Sequence, residues 1–253
     1  MRLVDSHCHL EYDGLVDDRP GVLARARAAG VGAFLNISTK RSEWGQVIAT
    51  AEREADVFAS IGIHPHHADD HQHVTEEDLL AAAAHPKVIG LGETGLDYYY
   101  DRSDRSAQQR LFRRHISVAR ETGLPVIIHT RDAEEDTAAI LGEEMRKGAF
   151  PALIHCFTAS EVFGTTVLDL GLSISMSDLS KLESLSMIGD YLDETLAPDA
   201  WASMQGPSPN VCCRSSRRRP TGPDHPIGEG RPSAITIMLA PATPTSRAQA
   251  RHR

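Results

Sequence analysis

The stretch from Asp104 to Arg131, DRSAQQRLFRRHISVARETGLPVIIHTR, holds a helix, a stop and a strand in a row. Leu111, Phe112, His115, Ile116 and Ala119 recur at three- and four-residue spacing, which lays one stripe along a helix over 104–122. Gly123 and Pro125 end it, because glycine tolerates the left-handed turn after a helix and proline cannot continue one. Val126-Ile127-Ile128 follows as a short apolar run without alternation, as strands buried on both faces are.

The same order repeats along the chain. Apolar runs stand at Leu3-Val4, Ala33–Ile37, Val57–Ile61, Val88–Leu91 and Ala152–Ile154, with a weaker one at Leu172–Ser175. Between them, residues 43–54, 75–84 and 133–147 favour helix, and Thr75-Glu-Glu-Asp is a capping sequence. Alternating strands and helices build right-handed βαβ units around a parallel sheet. Seven such strands predict an α/β fold of the (β/α)8 TIM-barrel type, incomplete because no eighth strand is evident. An open doubly wound sheet is the alternative. An open barrel leaves unpaired edges on strands one and seven, which favours poor solubility.

The character of the chain changes near residue 178. Residues 1–177 hold strands one to seven, and 178–204 read as a helical continuation. Residues 205–253 are a Pro/Arg-rich tail. That tail has eight of the 14 prolines, eight arginines, and only Asp224 and Glu229 as acids. It carries +6 and leaves −15 on residues 1–204 (18 Lys+Arg against 33 Asp+Glu). A segment so poor in apolar residues does not offset its ordering entropy, so it reads as disordered. A basic nucleic-acid arm is the other reading, although the tail has no aromatic side chain for stacking. Within it, 235–239 is the one candidate strand. The abrupt change is also what an out-of-frame reading of a G+C-rich gene produces.

The polar residues at the ends of the runs carry the chemistry. His7 and His9 follow the first run, and alternate residues of a strand share a face. Glu93 follows Val88–Gly92, His129 follows Val126–Ile128, and His155 follows Ala152–Ile154. In a parallel barrel these ends all lie on one face. Buried polar groups need partners, and four imidazoles around a carboxylate share metal ions most simply. Nitrogen and carboxylate ligands without thiolate suit one or two divalent ions, Mg²⁺, Mn²⁺ or Zn²⁺. Glu93 is therefore both a metal ligand and a catalytic candidate. Cys8 and Cys156 adjoin ligands and read as small packing residues.

His64 and His66, in His64-Pro65-His66-His67, are candidates for donating to a substrate oxygen at the pocket rim, with a solvated loop as the alternative. Arg131 lies two residues after His129 and is expected in the same mouth, where a guanidinium grips phosphate in two places. A surface pair with Asp132, Glu134 or Glu135 is its other reading. The acidic body does not hold long nucleic acid by counterion release. For a phosphodiester substrate, bound metal must supply the local positive charge.

Several stretches together resemble the TatD family of metal-dependent deoxyribonucleases, among the amidohydrolase-like barrels. They are Val4-Asp-Ser-His-Cys-His-Leu10, Gly62-Ile-His-Pro-His66, Gly90-Leu-Gly-Glu-Thr-Gly-Leu-Asp-Tyr-Tyr99, Leu124-Pro-Val-Ile-Ile-His-Thr-Arg-Asp-Ala133, Ile154-His-Cys-Phe-Thr158 and Gly171–Ser177. The resemblance implies a (β/α)8 barrel that cleaves phosphodiester bonds, typically from a 3′ end of DNA. It implies that His7 and His9 bind one metal, that Glu93 bridges, and that His129 and His155 complete the site. The family's last-strand aspartate, in a Glu-Thr-Asp-x-Pro-Tyr-Leu-like motif, has no clear counterpart. Asp193 and Asp199 are the possible stand-ins. Without that residue the chain reads alternatively as an impaired metal-binding remnant, with turnover lowered by orders of magnitude. A hydrolase of another ester or amide is a further alternative. The start of the chain has no leader-like run, no stretch is long and apolar enough for a membrane, and the four cysteines form no disulfide framework. These features predict a cytoplasmic protein with no membrane association. No protein partner is indicated.

Overall fold

The computed structural model describes residues 3–176 and 237–239. The described residues belong to one compact unit. Its strands are β1 (Leu3–Cys8), β2 (Val31–Asn36), β3 (Val57–Ile61), β4 (Val88–Asp97), β5 (Val126–Arg131), β6 (Ala152–Ile154), β7 (Ser173–Met176) and β8 (Ile237–Leu239). The first seven are parallel and lie in sequence order across the sheet. Each is joined to the next through a helix: α1 (Arg19–Ala28), α2 (Trp44–Arg53), α3 (Glu76–Ala83), α4 (Arg105–Thr122), α5 (Glu134–Lys147) and α6 (Glu161–Asp169). An unreversed strand order is that of a barrel. A doubly wound sheet reverses at a switch point, so that alternative is excluded.

The helices obey local signals. Thr75 and Asp78 form a reciprocal capping box at α3. The Asp104 side chain caps α4 by accepting from the Ala107 N–H, and Gly123 ends it in the left-handed region at φ 74°. The stripe read from sequence, Leu111, Phe112, His115, Ile116 and Ala119, is buried along α4. Burying each large apolar side chain contributes roughly 1.5–3 kcal/mol. Helices α1 and α6 were not expected from the sequence. The only buried residue of α1 is Leu23, so it carries no apolar stripe, while α6 is short and its stripe is confined to Phe163, Val167 and Leu168.

One strand edge is as expected and the other is not. In β1, Leu3 and Val4 are exposed, because among the described residues β1 has a neighbour on one side only. The outer edge of β7 is paired, through Ile174–Leu239, Ser175–Met238 and Met176–Ile237, with antiparallel β8. The barrel is incomplete as expected: among the described residues no eighth parallel strand follows β7, and its edge is covered instead by β8, inside the candidate segment 235–239, which runs opposite to the barrel direction. Asp193, Asp199 and the other expectations for residues 178–204 and the rest of the tail lie outside the described residues.

Strand β4 is longer than its apolar run. It continues past Glu93 to Asp97, pairing Gly95 with His129 and Asp97 with Arg131 after a register shift between Leu91 and Thr94. At that shift the Glu93 N–H donates to the Ser38 carbonyl (3.0 Å). Gly62 permits the approach, since a Cβ there would stand 2.4 Å from the Gly92 backbone. Gly95 (φ 131°) does the same beside β5, where a Cβ would meet the His129 carbonyl oxygen at 2.1 Å. The two glycines bring Glu93 and His129 toward a common point.

Candidate metal centre

Glu93 is at the middle of that point. Its carboxylate lies 3.4 Å from His7 Nε2, 3.9 Å from His9 Nε2, 3.8 Å from His64 Nε2 and 3.2 Å from His129 Nδ1. The side chain is 6% exposed. Burial opposes its charge, but hydrogen bonds from His129 and His7 outweigh that cost and hold the carboxyl well below its usual range. The surrounding cavity, about 560 Å³, is lined by His7, His9, His64, His66, Glu93, His129 and His155, together with Tyr12, Thr39, His67 and Arg102.

The geometry of the imidazoles tells which nitrogen is available. His9 Nδ1 donates to the Ile37 carbonyl (3.2 Å), which leaves the lone pair on Nε2. His9 Nε2 stands 3.2 Å from His7 Nε2, and the two face Glu93 together. His129 Nε2 donates to Asp97 (3.0 Å), which leaves Nδ1 toward Glu93. His64 is the reverse. Its Nδ1 accepts the His66 backbone N–H (3.2 Å), so its proton sits on Nε2, which faces the cavity side of Glu93. His155 stacks on His7, ring centroids 3.4 Å apart. The Nδ1 atoms of His7 and His155 are buried and have no hydrogen-bond partner among the described residues.

A divalent cation fits this donor set. Two groups place all their ligand atoms within 4.8 Å of one another: His7, His9 and Glu93, and His64, Glu93 and His129. They share Glu93. Burial pushes His64 and His155 down to about 3 and also lowers His9, so these rings stay neutral at neutral pH. His129 goes the other way: burial disfavours its charge, but Asp97 and Glu93 outweigh burial and push it up to about 9, so without a cation Nδ1 carries a proton toward Glu93, and a bound ion would displace that proton.

Asp97 was not singled out by sequence reasoning. Its side chain is fully buried, and Oδ2 accepts from His66 Nε2 (2.8 Å) and His129 Nε2 (3.0 Å). Oδ1 accepts from the backbone N–H groups of Tyr99 and Tyr100. The alternation Glu93, Gly95, Asp97 along one strand would have pointed to it. His66 Nε2 is consequently engaged with a carboxylate rather than free for substrate. Arg131 departs from its expected place. It does not line the cavity and makes no ion pair among the described residues; its guanidinium stands over Tyr99 (4.4 Å) and Tyr100 (4.9 Å). Arg131 is the last residue of β5, and its exposed guanidinium lies against the tyrosine faces rather than in the cavity. Cys8 and Cys156 are half-buried rather than fully buried, and the Cys8 thiol donates to the Leu35 carbonyl.

These shifts give stability a dependence on pH. His64, His155 and the fully buried His115 of α4, which burial pushes down to about 4, have folded values below the ordinary 6.5 or so. Their contribution is complete above about pH 6.5 and is lost as pH falls toward 4. His129 has the opposite sign, contributing below about 6.5 and losing it as pH rises through about 9. At ~1.4 kcal/mol per unit, His115 alone accounts for roughly 3 kcal/mol at pH 4. Urea unfolding in chelator from pH 7 to 4 should show steep acid loss, with His115→Gln taking up about one proton fewer. An unchanged slope in that variant would show that His115 is not responsible.

A curled parallel sheet of barrel order, with imidazoles and a buried carboxylate gathered at its strand ends, defines the metal-dependent hydrolase class of α/β barrels. Residues 4–190 match the family described as TatD related DNase, and the chain belongs to that family of metal-dependent hydrolases. It is 40% identical over 193 residues to the uncharacterized metal-dependent hydrolase YcfH of Escherichia coli, covering 75% of this chain and 72% of the relative. It is 34% identical over 176 residues to a Citrobacter koseri protein named 3'-5' ssDNA/RNA exonuclease TatD, covering 69% and 67%. Among solved structures, YJJV, a TatD homolog from E. coli K12, superposes with a TM-score of 0.63 at 30% identity, covering 68% of this chain and 67% of that one.

Proposed function

We propose that the chain hydrolyses phosphodiester bonds at the 3′ end of single-stranded nucleic acid, with one or two divalent ions (Mg²⁺, Mn²⁺ or Zn²⁺) held by His7, His9, Glu93, His129 and His155. The observation that carries this reading is the buried Glu93 carboxylate, ringed by His7, His9, His64 and His129 within 3.9 Å. The name of the C. koseri relative supports the substrate and polarity. When bound, a divalent ion polarises a phosphoryl oxygen and lowers the pKa of water beside it. The residues of the chain do the rest. Glu93 supplies the negative charge that binds and orients cations. His64, neutral with its proton on Nε2, donates to a phosphoryl oxygen without bringing a charge of its own. Asp97 fixes the tautomer and tilt of His129 and occupies His66, which makes His66 a positioning residue. Arg102, on the cavity wall, offers the phosphate a cation.

Among the described residues no helix is long and apolar enough to cross a membrane. We propose a cytoplasmic location because the four cysteines suit a reducing compartment. The test is an oligonucleotide labelled at its 5′ end, incubated with the purified full chain and Mn²⁺ or Mg²⁺. Stepwise shortening from the 3′ end, abolished by His129→Ala, is the expected result. No turnover by folded, metal-loaded protein would overturn the reading and favour the impaired remnant.

A further inference from the structure

Beside the cavity, three consecutive tyrosines meet three arginines. Arg105 stands over Tyr98 (4.2 Å), Arg131 over Tyr99 and Tyr100, and Arg102 over Tyr100 (5.3 Å). Of the eight cation–ring contacts among the described residues, four fall on these three tyrosines. Tyr98 is accounted for structurally, because its hydroxyl donates to Asp136. Tyr99 and Tyr100 are different: they are 56% and 46% exposed, although large aromatic side chains usually bury most of their surface. Arg102 and Arg131 make no ion pair with any described residue. Six of the other eleven described arginines do: Arg19, Arg25, Arg27, Arg105, Arg113 and Arg120.

The patch is fixed relative to the cavity. Asp97 Oδ1 accepts from both Tyr99 N–H and Tyr100 N–H, while Oδ2 holds His66 and His129. Tyr100 also meets the His66 ring edge-on at 5.3 Å, and Arg102 lines the cavity itself. One buried carboxylate thus ties an exposed aromatic surface to the imidazoles of the candidate centre.

We propose that Tyr99, Tyr100, Arg131 and Arg102 form a stacking subsite for an unpaired nucleobase next to the scissile phosphate, and that this subsite selects single-stranded ends. The proposal rests on the phosphodiesterase reading above. Stacked tyrosine and guanidinium planes take any base by its π-face, and a base inside a duplex does not present that face. Arg102 and Arg131, without carboxylate partners, are available to the flanking phosphates. The acidic charge of residues 1–204 argues the same way: an end must be held by a few local contacts, not by a broad basic surface.

The test uses the full chain and two 5′-fluorescent oligonucleotides in Ca²⁺, one of thymidylate and one whose last three 3′ residues are abasic. The native chain should bind the base-bearing strand roughly tenfold more tightly. Tyr99→Ala should bring that strand to the abasic level and leave abasic binding unchanged, while Tyr99→Phe keeps the preference. Loss of fold would weaken both strands equally, so it is distinguished from loss of stacking. Equal binding of the two strands by the native chain would overturn the subsite, as would a Tyr99→Ala variant that retains the preference. 3′-end cleavage measured in Mn²⁺ decides the underlying reading separately. Preference without cleavage leaves the subsite standing and removes the phosphodiesterase; cleavage without preference does the reverse.

Discussion

Glu93→Gln should lower divalent-metal affinity by at least two orders of magnitude and abolish 3′-end hydrolysis while the barrel still folds. Replacing residues that only orient a metal's ligands typically costs 10–100-fold in affinity, and Glu93 stands closer than that. It is the one carboxylate shared by the two clusters of close potential ligand atoms, and it faces both His7 and His9. The amide keeps the volume but loses the charge. It also removes a partner that holds His129 near 9, so His129 should titrate lower in the variant. Calorimetric titration with Mn²⁺ reads the first effect and NMR titration of the His129 ring the second. Native affinity in Glu93→Gln would mean that the ions bind elsewhere.

Asp97→Asn is expected to weaken metal binding by about 10–100-fold although Asp97 does not face the centre. The asparagine oxygen still accepts from Tyr99 and Tyr100, so the backbone there is kept. What changes is His129: where Oδ2 accepted, the amide presents an N–H2 donor, so Nε2 must accept and the ring proton moves to Nδ1, away from the tautomer that offers Nδ1 to a cation. Asp97→Ala adds a structural cost, leaving two imidazole and two backbone donors without their acceptor. Each unsatisfied buried group costs roughly 1–3 kcal/mol. Urea unfolding separates the two variants. Asp97→Asn, which keeps the acceptor for the two backbone donors, should lose less stability than Asp97→Ala, which keeps none, while both lose affinity. A native affinity in Asp97→Asn would show that its contact with His129 is incidental.

The order of the strands was legible because buried parallel strands are short apolar runs and the helices between them carry their own stops. His7, His9, Glu93, His129 and His155 were legible as a set for a related reason: each interrupts an apolar run at its end, and the structure brings them to one cavity. Asp97 was hidden because the apolar run ends at Gly92 while the strand does not. Its extension depends on pairing with β5, which is a tertiary fact. Arg131 follows the alternation that places His129, but as the last residue of β5 it is exposed and lies against the nearby tyrosine rings outside the cavity. Antiparallel β8 pairs residues more than sixty positions apart, and no local pattern specifies such a partner. The tautomers of His9, His64 and His129 come from single backbone or carboxylate contacts that sequence does not encode.

The most direct test of the central claim is anomalous diffraction from crystals of the full chain grown with Mn²⁺. The expected result is a peak at coordination distance, about 2.0–2.3 Å, from Glu93 and from nitrogens of the His7, His9, His129 and His155 set. An anomalous map with its manganese elsewhere, and none beside Glu93, would contradict the account.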